Sequence, residues 1–365
     1  MNGAGCNKEN ILRKDRQREK TADWHYFQDI FRAEGFNCLG WLSWPLEGES
    51  EEERKRRERA FLSNTGPSMP PGLAWMKAHR DLKYRPDRLL KGAKGVLVTG
   101  LGYYREDEID SNRAGRRGFG RVARYARGRD YHRVLGGKLR RITRKLAKSL
   151  PGHSFRTFTD TGPLDEVWLA EASGLGFRGR NGLAILQGFG SWILLGHVIT
   201  TYAFGSGYRR AEKPAGCPPG CRRCIDACPN EALSEIGLLN ASRCISYMTI
   251  EHRGALEYGE ALGDRIVGCD ACQEACPFNR GAAETETEDF KRDIAGASLN
   301  LAEVAEIASY GQMVGKFAGS VLMRVGLANL LRNAHAVKAN FEREQAADLR
   351  AARRGGHYPE ADSNG

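Results

Sequence analysis

Eight cysteines in the second half of this 365-residue chain have the spacing for redox chemistry. The first run, CPPGCRRCIDACP, supplies Cys217, Cys221, Cys224 and Cys228, the last followed by Pro229. The second, CDACQEACP, supplies Cys269, Cys272 and Cys276 before Pro277, and Cys244 lies alone between the runs. A cubane iron–sulfur cluster takes four thiolates, and in two-cluster arrangements the cysteine before the proline ligates the other cluster. That rule assigns one [4Fe–4S] cluster to Cys217, Cys221, Cys224 and Cys276. It assigns a second to Cys228, Cys244, Cys269 and Cys272. Two such clusters carry electrons singly to or from a group held elsewhere in the chain.

Plainer uses of cysteine compete. Structural zinc also uses CxxC pairs, but usually as two separated pairs per ion, whereas here the thiols crowd into two short runs. Disulfides need an oxidising compartment, and the N-terminal stretch MNGAGCNKENILRKDRQREK is polar, with no secretory apolar segment. The first run departs by one residue from the C-x2-C-x2-C-x3-C-P spacing. Gly220 can take a positive φ and absorb the extra residue in a wider turn. Cys6 lies in a polar stretch. Cys38 lies in FNCLGWL, where a small buried hydrophobe is the default reading.

The elements around these thiols alternate between strands and helices up to about residue 205, which predicts an α/β scaffold within a chain of α+β or α/β class. TADWHYFQDIFRAEGF reads as a capped amphipathic helix, and EGESEEERKRRERAFL as a charged one. RPDRLLKG leads into the strand GVLVTGL. The segment 113–122 reads as an irregular loop. FRTFTDTGP is a strand ending in a turn, and LDEVWLAEASGLG is a helix closed near Gly174. LAILQ and SWILLGHVIT read as strands. After Cys228-Pro229 a short helix is expected in NEALSEIGLLN. An inserted helix is expected between Cys244 and Cys269, an acidic linker at AAETETED, and helices from Leu301 onward. The division is therefore 1–22 tail, 23–207 α/β domain, 208–284 ferredoxin-like two-cluster domain, 285–342 helical region and 343–365 tail. No apolar run reaches bilayer length. A soluble, cytoplasmic monomer with no membrane contact is expected.

The formal charge of +11 is concentrated. Residues 113–148 hold fourteen Arg or Lys and one acid, Asp130, a local +13 that leaves −2 for the remainder. Phe119, Tyr125 and Tyr131 are interleaved. Arginines with aromatics suit RNA, which offers phosphates to pair and bases to stack. The competing reading is a solvated helix face, because Leu135, Leu139, Ile142, Leu146 and Leu150 recur at helical spacing.

Several stretches together resemble the epoxyqueuosine reductase family: RPDRLLKGAKGVLV, RYARGRDYH, DTGP, AEASGLGFRGRNGL, RCISYMTIE, GCDACQEACPFN and LLRNA. The resemblance runs from about residue 24 to 340. It implies an N-terminal α/β domain that binds cobalamin, a following domain with two [4Fe–4S] clusters, and reduction of epoxyqueuosine at the tRNA wobble position. It implies that electrons pass through the clusters to cobalamin from an external one-electron donor such as a flavodoxin or ferredoxin. It further implies that Asp160 donates a proton and that Lys83, Ala123, Asp160, Gly179, Asn181, Leu195 and Ser246 contact cobalamin. On its own an Asp at a strand end is a turn or cap residue. An acid that donates a proton at neutral pH needs burial to keep it, so a buried Asp160 is expected. Asp130, His132 and Gly136 nearly spell D-x-H-x-x-G, a corrinoid motif, but the glycine is one residue late. His132 is therefore read as a loop histidine in a hydrogen-bond network.

The chain departs from the family at Val167, where Arg is usual, at Arg180, where Lys is usual, and at His197, where Glu is usual. These departures bear on substrate more than on cofactors. Two rivals remain: a related corrinoid and iron–sulfur reductase of a small molecule such as an organohalide, and a ferredoxin-like electron carrier. The first leaves the basic block without a purpose, and the second leaves the N-terminal domain without one.

Overall fold

A computed structural model describes residues 23–46, 50–53, 55, 69–106, 117–204, 216–234, 238–257 and 259–355. The tail 1–22 with Cys6, residues 113–116 and most of EGESEEERKRRERAFL lie outside the described residues. The start of that charged segment is described: Ser50 and Glu53 exchange hydrogen bonds as a capping box. The chain forms two compact units, each assembled from three segments. The first is Met1–Glu106, Gly128–Cys244 and Asp270–Arg292, and the second is Asp107–Arg127, Ile245–Cys269 and Asp293–Gly365.

The first unit is built on a four-stranded sheet of β1 (Cys38–Ser43), β2 (Gly95–Gly102), β7 (Ile193–Thr200) and β4 (Phe155–Thr159), in the order β1-β2-β7-β4. Every neighbouring pair is antiparallel. The fold is mixed α/β as expected, but the alternation does not produce the parallel sheet that an α/β label implies. β2 and β7 are apolar on both faces, as a doubly covered sheet requires. Helix α1 spans 23–33 and helix α2 spans Tyr131–Ser149. α2 buries Leu135, Leu139, Ile142 and Leu146, each worth roughly 1.5–3 kcal/mol. Asp130 caps it by accepting the His132 N–H. On the other sheet face, α3 (Glu166–Ala172) packs Leu169 and Ala170 against Val96, Val98, Ile193 and Leu195. It ends at Gly174, with φ +80°, as its sequence predicts. A small hairpin, β5 (Gly176–Arg178) and β6 (Ala184–Leu186), follows.

The second unit holds a three-stranded sheet in the order β8-β3-β9. Its strands are β3 (Phe119–Val122), β8 (Arg265–Val267) and β9 (Ser298–Asn300), with β3 parallel to β8 and antiparallel to β9. Residues 119–122 thus form a strand where a loop was expected, because their backbone groups find partners on both sides. The segment Cys244–Cys269 is also not one helix. It contains a π-helical turn, Tyr247–Glu251, a 3₁₀ turn and β8. Helix α4 (Leu327–Gly355) braces it. Buried Asn333 donates to the carbonyls of Thr249 and Ile266, and Arg332 donates to those of Met248, His252 and Gly254. The LLRNA stretch is therefore a structural brace. α4 runs past residue 342, where a tail was expected, through exposed residues of good helix propensity.

Two smaller expectations fail in the first unit. No helix follows Cys228-Pro229 among the described residues, where Leu233 instead bridges Leu239. AAETETED is packed: Thr285 is buried and its N–H donates to the Tyr104 carbonyl. No helix among the described residues is long and apolar enough to cross a membrane.

Candidate functional site

Four of the predicted thiols ring one cavity. Cys217, Cys221, Cys224 and Cys276 line a space of about 280 Å³, open to solvent, together with Arg180, Asn181, Ile185, Arg223, Pro277 and Phe278. The one-turn helices Arg223–Asp226 and Ala271–Glu274 carry Cys224 and Cys272, and Cys276 follows the second. Gly220, at φ +72°, makes the wider turn that the extra residue requires. Burial, reinforced by the charges of Cys217, Cys276 and Cys221, pushes the Cys224 thiol up. Burial likewise raises Cys276, with Cys217 and Cys221 adding to it. Four thiols that repel one another around a cavity suit a cationic iron core. Among the described residues, no three Cys, His, Asp or Glu side chains converge as a single ion would require. Cys228 and Cys272 each pack against the apolar group of Cys224, Ile225 and Leu233, and Cys228 Sγ accepts the Ala232 N–H at 3.2 Å. Cys244 is in the same unit, while Cys269 is the last residue of its segment in the second unit. Cys38, away from these groups, packs against the sheet core, and burial pushes its thiol up to about 12.

A second arrangement forms at the end of β4. β4 pairs with β7 so that Phe158 faces His197 and Thr159 faces Gly196. Asp160, the next residue, has φ +39°, a left-handed conformation that costs a non-glycine residue roughly 1 kcal/mol. Two contacts hold it. Its N–H donates to Glu166 Oε1 at 2.7 Å, and its Oδ2 lies 2.8 Å from His132 Nε2. His132 Nδ1 in turn lies 2.7 Å from Asp130 Oδ1. The imidazole is thus strung between two carboxyl groups, which bears out the network reading of His132. Burial was expected at Asp160, but its side chain is 48% exposed. The strand ends at the surface, so a hydrogen-bond partner takes the place of an apolar pocket.

Glu166 had no role assigned from sequence, yet it links this turn to the interior. Besides the Asp160 N–H, it faces His197 Nδ1 at 3.3 Å. His197 is fully buried, and neither ring nitrogen has a well-formed hydrogen bond, so this contact is one of proximity. The only prior signal for Glu166 was its place six residues after Asp160. Val167 packs against the core. Asp165 caps α3, accepts from Tyr84 and pairs with Arg178.

Of the residues assigned to cobalamin, Lys83, Asp160, Gly179, Asn181 and Leu195 fall in the first unit, and Ala123 and Ser246 in the second. Lys83 is only 3% exposed; burial pushes its ammonium down, opposed by Asp165 and Glu166. Leu195 lies in the sheet core. Gly179 and Asn181 lie at the tip of the β5–β6 hairpin, next to Arg180 in the thiol cavity. Ala123 is buried, and its N–H donates to Val267. Ser246 precedes the π-helical turn.

The basic helix divides its charges. Lys138 donates to the Glu34 carbonyl, and Arg141 and Lys145 pair with the Glu34 carboxylate. Arg133, Arg140, Arg144 and Lys148 are exposed and form no ion pair among the described residues.

A thiol-lined cavity and a carboxyl–imidazole–carboxyl row on a mixed α/β scaffold define an iron–sulfur oxidoreductase, and residues 217–279 match the 4Fe-4S double cluster binding domain. Residues 83–161 match the family described as epoxyqueuosine reductase QueG, DUF1730. An epoxyqueuosine reductase of Xanthomonas campestris is 36% identical over 267 residues, covering 71% of this chain and 72% of the relative. One from Synechocystis is 36% identical over 268 residues, covering 72% and 89%. The chain belongs to the epoxyqueuosine reductase family and is an enzyme of that class. Solved structures agree in fold. Epoxyqueuosine reductase from Streptococcus thermophilus superimposes with a TM-score of 0.70 at 25% identity, covering 91% of this chain and 85% of that one. An epoxyqueuosine reductase with an epoxyqueuosine-modified tRNA stem loop gives 0.74 at 24% identity, covering 94% and 87%. The Bacillus subtilis enzyme, with its aspartate-bearing catalytic loop swung out of the active site, gives 0.72 at 25%, covering 93% and 87%.

Proposed function

We propose that this chain reduces epoxyqueuosine to queuosine at the wobble position of tRNA, with two [4Fe–4S] clusters and cobalamin as cofactors and Asp160 as proton donor. Removing the epoxide oxygen as water takes up two electrons and two protons. The observation that carries the reading is the row Asp130–His132–Asp160 at an open strand end. With His132 Nδ1–H donating to Asp130, its Nε2 contact with Asp160 needs one proton, on either partner. The proton of that contact, shared between His132 Nε2 and Asp160 Oδ2, lies in reach of solvent; once it is given to the departing oxygen, solvent supplies the next.

Cobalamin, when bound, supplies the strongly reducing centre that the epoxide carbon requires. Lys83, Ala123, Asp160, Gly179, Asn181, Leu195 and Ser246 would hold it. Lys83, buried and facing the charges of Asp165 and Glu166, would offer a cationic contact to such a ligand's phosphate. Cys217, Cys221, Cys224 and Cys276 would hold one cluster, and Cys228, Cys244, Cys269 and Cys272 the other. The small-molecule and electron-carrier alternatives give no use to the exposed cations of α2. Arg133, Arg140, Arg144 and Lys148 suit the phosphates of an anticodon stem-loop, and the tRNA stem loop seen with a relative of this fold supports that choice. In the Bacillus subtilis relative a catalytic loop swings out of the active site; a like motion of the Asp160 turn would part its His132 and Glu166 contacts. An external one-electron donor of flavodoxin or ferredoxin type, a cytoplasmic setting, a monomeric state and the functional regions 23–207, 208–284 and 285–342 complete the reading.

Nucleoside analysis of tRNA from cells lacking this protein tests it. Epoxyqueuosine should accumulate and queuosine return on complementation; unchanged queuosine overturns the proposal.

A further inference from the structure

The resemblance places Asn181 against cobalamin, but its surroundings point elsewhere. Asn181 is 7% exposed and lines the cavity ringed by Cys217, Cys221, Cys224 and Cys276. Its Oδ1 accepts the Leu183 N–H at 3.2 Å. That bond fixes the amide orientation, because an N–H can be met only by the oxygen. Nδ2 is left buried with no hydrogen-bond partner. Leaving a buried amide N–H unpaired is costly, so a ligand acceptor in the cavity would relieve it. The hairpin holds the amide there. Gly182 N–H donates to the Gly179 carbonyl and Gly179 N–H to that of Leu183, with Gly182 at φ +80°. Gly179 also leaves the room: a Cβ at that position would lie 2.6 Å from Asn181 Oδ1.

We propose that Asn181 Nδ2 donates a hydrogen bond to a sulfur of the cluster held by Cys217, Cys221, Cys224 and Cys276, and so raises that cluster's reduction potential. The proposal rests on the assignment of those four thiols to one cluster. Reduction adds one electron to a cluster that is already anionic once its four thiolates are counted, and no bond is made or broken. A donor stabilises the more negative reduced state more than the oxidised one, which is how hydrogen bonds to sulfur tune these centres. Arg180 and Arg223, on the same cavity, act in the same direction. Asn181 is thus a positioning and tuning residue for electron delivery, and Gly179 supports it.

The test is a potentiometric titration followed by electron paramagnetic resonance, on anaerobically reconstituted full-length protein without cobalamin. The Cys276→Ser variant identifies which of the two midpoints belongs to this cluster. In Asn181→Leu that midpoint should fall by about tenfold in the equilibrium constant, ~59 mV for one electron, while the other stays. Asn181→Asp keeps the shape and the Leu183 contact but removes the donor, so it should shift the same midpoint downward and serves if the Leu variant does not fold. Unchanged midpoints overturn the proposal, as do unchanged midpoints with weakened cobalamin retention, which would return Asn181 to cobalamin. Loss of neither cluster signal in Cys276→Ser would instead sink the four-thiol assignment, and the proposal with it.

Discussion

The thiol cavity and the Asp160 turn lie in one unit of one chain, yet they are built in opposite ways. Three of the four cavity thiols come from eight consecutive residues, two from a loop and the third from the one-turn helix that follows it. The Asp160 turn draws on the cap of α2, the end of β4, the first turn of α3 and the middle of β7. Electron carriers need many ligands at fixed short spacing, which a local loop provides. Proton handling needs two or three groups at hydrogen-bond distance, and these come from wherever the fold brings them. The lesson is that a substitution in the cavity should act through cofactor content, and one at the turn through rate.

Cys276→Ser would give the largest effect. It removes a ligand from one cluster, so iron and acid-labile sulfide per chain should fall to about half, with near-complete loss of turnover. Full iron content in that variant would break the contrast. Asp160→Asn should leave both clusters intact and lower the rate by roughly 10²–10⁴-fold, measured in single-turnover assays with a modified stem-loop. His132→Phe should cost less, roughly tenfold to a hundredfold, because it removes the partner and not the donor. Equal effects of the two would mean that His132 is itself the acid.

The smallest expected effect concerns Glu34, under the basic helix. Burial alone would raise its carboxyl, but hydrogen bonds from Lys145 and Arg141 outweigh that and hold it below the usual carboxylate range. A lowered acid stabilises the fold above its unfolded value of ~4.3 and loses that contribution as pH falls through the folded value. Glu34→Gln should therefore destabilise the protein by roughly 1 kcal/mol at neutral pH, and the difference should vanish in acid. Denaturant unfolding at pH 7 and below pH 4 would measure it. A loss that persists in acid would show that packing, not charge, holds α1 to α2.

Much of the site was legible, and the pattern of misses is physical. The α2 stripe of Leu135, Leu139, Ile142 and Leu146 was readable because helical periodicity is a local property. Gly220 and Gly174 adopt the positive φ their positions implied. Strand β3 was missed because four residues, FGRV, carry no alternation; their pairing with β8 and β9 decides the matter. The expected burial of Asp160 failed because nothing in DTGP says that His132, 28 residues earlier, will meet its carboxyl group. That Asn181 lines the thiol cavity is not legible either, because sequence cannot say which way a hairpin tip faces.

By itself the sequence determined the iron–sulfur chemistry, since thiol spacing along the chain is thiol spacing in space when a loop spans only a few residues. It also marked the long basic helix and four of the strands, β2, β4, β6 and β7, through periodicity and turn residues. Only the tertiary structure decided that Glu166 would hold the Asp160 turn, that His132 would lie at hydrogen-bond distance from its carboxyl group, and that Asn181 would line the cavity of the cysteines. Those contacts join segments far apart in the chain, and they depend on strand register and helix placement, which no local pattern encodes.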